Sequence, residues 1–99
     1  MPTAVGISVF EIHIPQSRSL KEKRRVIKSL IERIFQRYRV SITESDYHDL
    51  HQRSEIAIAL VARSHHEAER ILEKIRALIE EQYDCQLTLW QPEFLDTNP

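Results

Sequence analysis

Two serine-led motifs restrict the fold of this chain more than any other feature of it. Ser19-Leu-Lys-Glu22 and Ser64-His-His-Glu67 both read as capping boxes. In such a box the serine hydroxyl accepts from a free N–H of the first helical turn, and the glutamate three residues on reaches back to the serine's own N–H. After Ser19, the residues Leu20, Val26, Ile27, Leu30, Ile31, Ile34 and Phe35 recur at helical spacing with no Gly or Pro among them. The spacing predicts a helix of about 19 residues, near 28 Å long. After Ser64, the positions Ala68, Ile71, Leu72, Ile75, Leu78 and Ile79 predict a second helix, to about Gln82.

The remaining apolar runs read as strands. In residues 4–14, Val5, Ile7 and Val9 share one parity, and Phe10, Ile12 and Ile14 take the other. Such a phase change means either a bulge or a strand with both faces partly buried. Pro15 closes the strand, because it has no ladder N–H to give. Val40 and Ile42 alternate with Ser41 and Thr43 in a second strand, and the polar stretch from Asp46 to Arg53 reads as a connection. Residues 55–62 are almost continuously apolar, as in a central strand buried on both faces. Cys85, Leu87 and Leu89 mark a fourth strand that ends near Pro92, which leaves 93–99 as a frayed or covering tail.

The order is βαββαβ, the split-βαβ pattern of a ferredoxin-like fold. The expectation is therefore one α+β domain over residues 1–99, a two-layer sandwich with a four-stranded antiparallel sheet. Both helices lie on one face, and strands one and three are central. A hydrophobic content of 41% suffices for one core. The second sheet face, with Ala57, Ala59, Val61 and one parity of strand one, is too apolar to stand in water. Either a pair of helix ends or the C-terminal segment from Trp90 to Leu95, with its Phe94, folds over that face, or a partner such as a second copy covers it.

The single cysteine, Cys85, excludes an internal disulfide and fits a reducing compartment. No apolar run approaches the roughly 20 residues of a membrane span. The start of the chain shows no basic-then-apolar signal pattern. A cytoplasmic location is the expectation.

Net charge is −1, but its distribution is uneven. Residues 18–39 hold nine basic and two acidic side chains, a balance of +7 inside an otherwise acidic chain. Arg18, Lys21, Lys23, Arg24, Arg25 and Lys28 crowd the start of the first helix. A helix N-terminus favours anions and disfavours cations by about 0.3–1 kcal/mol each. A cluster set against that preference points to another use, such as phosphate binding. Lys21, Arg24, Arg25 and Lys28 can share one face, at i, i+3, i+4 and i+7, while Lys23 points elsewhere. Arg18, Lys21, Arg24, Arg25 and Lys28 are therefore the candidate phosphate- or nucleic-acid-binding residues. The competing reading is a solvated face partly neutralised by Glu22 and Glu32.

Two stretches also carry a family resemblance. His13-Ile-Pro followed by Arg18-Ser-Leu-Lys-Glu-Lys-Arg-Arg-Val-Ile-Lys-Ser-Leu resembles the YlxP-like family of small bacterial proteins, a domain of unknown function. Val40-Ser-Ile-Thr-Glu and Asp49-Leu-His-Gln-Arg53 look like its second signature, with a departure at His51, where the family pattern has an aromatic such as tryptophan. The resemblance covers nearly the whole chain. It implies a ferredoxin-like fold and no established activity. Its genes' frequent setting among translation and ribosome-maturation genes implies an RNA or ribosome context.

Other chemistry finds less support. Asp46, His48, Asp49 and His51 offer metal-ligating atoms, but no second ligand cluster sits at a diagnostic spacing, so no metal is expected. His65 and His66 read as solvent-exposed in a first helical turn. His13 either joins the basic face or packs at a strand end. Cys85 reads as inert packing. Gly6 is the only glycine, so there is no Gly-rich phosphate loop. Strand three has no aromatic and strand one only Phe10, unlike an RNA-recognition motif that stacks bases on both.

The expectation is a non-enzymatic binding protein with no catalytic residues and no cofactor, contacting structured RNA or a ribosomal particle through the basic helix. The alternatives are an assembly module that uses the open sheet face, for example as a homodimer, and a small-ligand regulatory domain by fold analogy.

Overall fold

The computed structural model describes residues 3–96. Ser19 and Ser64 open the two helices, their hydroxyls accepting from the N–H groups of Glu22 and Glu67 at 3.1 Å each. The return arms reach one residue further than a standard box. Glu22 accepts from the N–H of Arg18 at 2.5 Å, and Glu67 from that of Arg63 at 3.4 Å. Each carboxylate therefore also pins the residue that leads into the helix.

The elements are β1 (Ala4–His13), α1 (Leu20–Tyr38), β2 (Ser41–Asp46), β3 (Arg53–Ala62), α2 (His65–Glu80) and β4 (Gln86–Asp96). They form one antiparallel sheet of order β2-β3-β1-β4, with β1 and β3 central, so the ferredoxin-like sandwich is the fold. α1 ends without glycine: Arg39 takes the left-handed conformation, φ 54, and its N–H closes on the carbonyl of Phe35.

The core lies between sheet and helices. β1 turns Ala4, Phe10 and Ile12 inward and β3 turns Ile56, Ile58, Leu60 and Ala62 inward. Ile27, Leu30 and Ile34 of α1 and Ala68, Leu72, Ile75, Leu78 and Ile79 of α2 meet them. At Gly6 the approach is tight. A Cβ there would lie 3.3 Å from Leu72 Cδ1 and 3.4 Å from the Ala68 Cβ, so the missing side chain lets α2 cross close over β1.

Of the two readings of the phase change in β1, the strand with apolar residues on both faces is the one observed; the bulge lies in its neighbour β4, where Thr88 is the extra residue. Pairing with β3 is regular along the whole strand, and Val5, Ile7 and Val9 face away from the helices. Pairing with β4 shifts between Glu11 and Ile12, which places Leu87 opposite Ile12 and Leu89 opposite Glu11. Leu87 then packs on the core while Leu89 is turned out.

The expected tail is corrected. β4 continues past Pro92, pairing Glu93 with Ile7, Phe94 with Gly6, Leu95 with Val5 and Asp96 with Ala4. Residues 93–96 are thus strand, neither frayed nor covering; 97–99 lie outside the described residues. Pro92 did not end the strand because β4 is an edge strand, where a missing N–H is tolerated. Trp90 and Phe94 turn toward the helices, Trp90 tilted on Phe10 at 5.6 Å and Phe94 on the His65 ring at 4.5 Å between centroids. The segment from Trp90 to Leu95 therefore does not shield the second sheet face.

Leu72, 2% exposed and seated over Gly6, anchors the contact between the layers. Leu72→Ala is expected to lower the unfolding free energy by about 2–5 kcal/mol, read from urea denaturation.

Candidate functional site

α1 lays Lys23, Ile27, Leu30 and Ile34 against the sheet. Its outer side carries Lys21, Arg24, Arg25 and Lys28, all exposed, and Arg18 is exposed just before the cap. The structure thus brings all five sequence-selected cations to the solvent side of one helix start. Among the described residues, none of the five side chains has a carboxylate within ion-pair distance. Arg53, Arg63 and Arg76, by contrast, are each committed to glutamates. Glu22, expected to neutralise this face, spends its carboxylate on the Arg18 backbone. An open groove of about 270 Å³ borders the face, lined in part by Gln16, Ser17, Arg25 and Asp84.

Lys23, the sixth cation of the cluster, is turned inward and only 1% exposed. Its Nζ lies 2.9 Å from Glu44 Oε2 and donates to the carbonyl of Tyr47. The same Glu44 oxygen accepts from the Ser54 hydroxyl at 2.6 Å. Sequence reasoning placed Lys23 off the basic face but missed its burial. The available signal was its helical phase with Ile27, Leu30 and Ile34, together with the inward parity of Glu44 beside Ile42 on β2.

Around this pair the two loops at the start of α1 are fastened together. Gln52 donates to the carbonyls of Pro15 and Ser17, each at 3.1 Å, and its own carbonyl accepts from the N–H of Ile14 at 2.9 Å. Tyr47 takes a positive φ of 62, with its N–H held by Asp46 Oδ1 at 2.7 Å. Arg53 stacks over the Tyr47 ring at 4.0 Å and forks onto Glu11 at 2.6 and 2.8 Å. The hydrogen bond to Glu11 holds the Arg53 pKa above its ordinary value. Lys23, Glu44, Gln52 and Arg53 thus tie the β2–β3 loop to the approach of α1 and fix how the basic face is presented.

The histidines are dispersed. His48 and His51 are exposed on the β2–β3 loop, and a His48 ring nitrogen lies 3.2 Å from the carbonyl of Glu44. Among the described residues, no three His, Cys, Asp or Glu side chains are grouped to hold a metal. His13 faces the open side of the sheet, in register with Arg53, and does not join the basic face. His66 is exposed, whereas His65 does more than face solvent: it lies 3.2 Å from Glu69 and 3.6 Å from Asp96, at the end of β4. Cys85 is buried just before β4, where burial and the neighbouring Asp84 push its thiol up to about 11.

The model of a family described as "Protein of unknown function (DUF503)" matches residues 5–91. The chain is 33% identical over 90 residues to "Uncharacterized protein YlxP" of Bacillus subtilis strain 168, covering 91% of this chain and 98% of that one. Among solved structures, a de novo designed protein, Foldit4, aligns over 100% of this chain and 99% of its own at 16% identity, with a TM-score of 0.48. No helix among the described residues is long and apolar enough to cross a membrane.

Glu44→Ala would leave the Lys23 ammonium buried with one carbonyl, an expected loss of about 3–5 kcal/mol. Lys23→Met keeps the buried hydrocarbon and leaves Glu44, which is 18% exposed, with Ser54 and water, so a smaller loss is expected. Urea unfolding of both variants and of the double variant checks this ordering. Equal losses would mean that burial of the ammonium is not the dominant cost.

For Cys85, the unfolded chain releases the thiol proton near the ordinary value of 9.0 and the folded chain only near about 11. The stability it contributes is therefore complete below about pH 9 and lost as pH rises toward about 11. Thiol-reactive dye should label native protein slowly and unfolded protein fast at pH 8. A loss of stability across the alkaline window should be absent in Cys85→Ala.

Proposed function

This chain belongs to DUF503, a family of proteins of unknown function, and from that starting point we propose that it is a non-enzymatic binding protein contacting structured RNA, free or in a ribosomal particle, through the start of α1. One observation carries this reading: Arg18, Lys21, Arg24, Arg25 and Lys28 are exposed at a helix N-terminus, and among the described residues none of their side chains has a carboxylate within ion-pair distance. The helix dipole disfavours cations there, while the free N–H groups and the side chains together suit phosphate.

The geometry suits backbone contact rather than base readout. From Lys21 to Lys28 the row runs about 10 Å along the helix axis. It is convex, and its residues include no aromatic on which a base could stack. A duplex would be met at its phosphates and recognised by shape, because side chains cannot read the deep, narrow major groove of A-form RNA. Lys23 and Gln52 hold the helix start in place, so the charges are presented with little ordering cost on binding.

The uncovered apolar sheet face favours a second reading, an assembly module. The two do not compete, because the basic face and the sheet face lie on opposite sides of the molecule.

Binding of a structured RNA hairpin over a salt series tests the first reading. Affinity should fall steeply with salt, each neutralised phosphate adding about −0.7 to −0.9 to the log–log slope. The variant Lys21→Glu/Arg24→Glu/Arg25→Glu/Lys28→Glu should lose binding with an unchanged circular-dichroism spectrum. Unchanged affinity in that variant, or no binding by the wild type at low salt, would refute the assignment.

A further inference from the structure

The groove beside the basic face is built from three separate stretches of chain: the β1–α1 loop, the start of α1 and the loop between α2 and β4. Arg25, one of the five exposed cations, lines it from α1, and Asp84 lines it from the α2–β4 loop. The two stand apart. Among the described residues neither side chain makes an ion pair or a hydrogen bond. A carboxylate set among cations repels a phosphate chain unless that chain brings it a donor, because an ionised carboxylate only accepts. The backbone of DNA has no such donor, whereas RNA carries a 2′-hydroxyl at every nucleotide.

Next to Asp84 stands Tyr83, 97% exposed. Its exposure is not looseness. On one side Gln82 donates to the carbonyl of Leu78 at 2.8 Å and accepts from Arg33 of α1. On the other side Cys85 is buried. The loop therefore holds an aromatic ring out in water between two fixed neighbours, where it adds nothing to packing. Unstacked bases of RNA settle on rings presented in this way.

With the basic face as an RNA surface, on which this assignment rests, we propose that the groove takes one unpaired ribonucleotide of the same RNA. Its phosphate meets Arg25, its 2′-hydroxyl donates to Asp84, and its base stacks on Tyr83. The substrate class is then a duplex interrupted by a bulged nucleotide, and DNA is refused.

The dimensions and the lining agree with that occupant. At about 270 Å³ the groove lies just under the ~300–1,000 Å³ of small-molecule sites, which gives room for one sugar and phosphate and not for a helix. Val26 supplies an apolar wall for the sugar, and the exposed Gln16 amide can donate to a phosphate oxygen or a base edge. The row of Lys21, Arg24, Arg25 and Lys28 meets duplex phosphates by charge alone, while the groove reads the sugar. A deoxynucleotide would leave Asp84 desolvated beside a phosphate with no donor, so discrimination comes from rejection as well as attraction.

Fluorescence anisotropy with three hairpins of one sequence tests the groove: fully paired, with a single-nucleotide bulge, and with that bulge carrying a 2′-deoxyribose. The wild type should bind the bulged hairpin about tenfold or more tighter than the paired one, and the deoxy substitution should remove most of that gain. Asp84→Ala should bind the ribose and deoxyribose bulges alike. Tyr83→Ala should lose several-fold of the preference for bulged over paired RNA, with the fold checked by circular dichroism. The deoxy substitution leaves the protein untouched and so decides the matter if Asp84→Ala fails to fold. Equal wild-type affinity for paired and bulged hairpins, equal affinity for the two bulges, or a ribose preference that survives Asp84→Ala overturns the groove assignment. The basic face survives those results as long as hairpin binding still depends on Lys21, Arg24, Arg25 and Lys28. Absence of binding to every hairpin at low salt overturns both.

Discussion

The ammonium of Lys23, 1% exposed and held by Glu44 and the Tyr47 carbonyl, is the constraint on which the rest of this structure depends. A buried ion pair adds little net stability over an apolar pair of the same shape, since desolvation offsets most of the attraction. What it supplies is register. Rotating α1 toward Glu22 would set two carboxylates together, and rotating it either way would turn Ile27, Leu30 and Ile34 off the sheet, so the pair and the apolar stripe select the same rotation of the helix. That rotation decides which cations face out. The solvent-facing set of Lys21, Arg24, Arg25 and Lys28 follows from where Lys23 is anchored.

The same anchor links the two family-signature stretches. Lys23 comes from one, Glu44 and Gln52 from the other, and they meet where the β1–α1 and β2–β3 loops run side by side. In this chain the two stretches therefore serve as the scaffold of a loop junction. The exposed cations are a different matter. They contribute nothing visible to packing, and the helix dipole works against them.

Placing both helices on one face leaves this fold with a bare sheet. The design also leaves β2 and β4 as edges, and the sequence treats those edges defensively. β2 is short and polar, while β4 carries Pro92 and Glu93. Such features discourage strand-to-strand addition. The face itself is apolar at one end, at Val5, Ile7, Val9, Ala57 and Ala59, and charged at the other, at Glu11, His13, Arg53 and Glu55.

The order of elements, both helix starts, the central strands and the solvent face of α1 were legible in the sequence, because caps, parity and helical phase are properties of residues close together in the chain. The burial of Lys23, the Gln52 clamp, the extension of β4 to Asp96 and the inward turn of Trp90 and Phe94 were not. Each depends on what lies opposite. Lys23 can be buried only because β2 brings Glu44 beneath it. Pro92 is tolerated because β4 has no neighbour on its far side. Phe94 turns inward because Gly6 leaves room across the ladder. Local sequence determined which surfaces this protein has, and the pairing of distant segments decided which charges are buried in it and which apolar face is left bare.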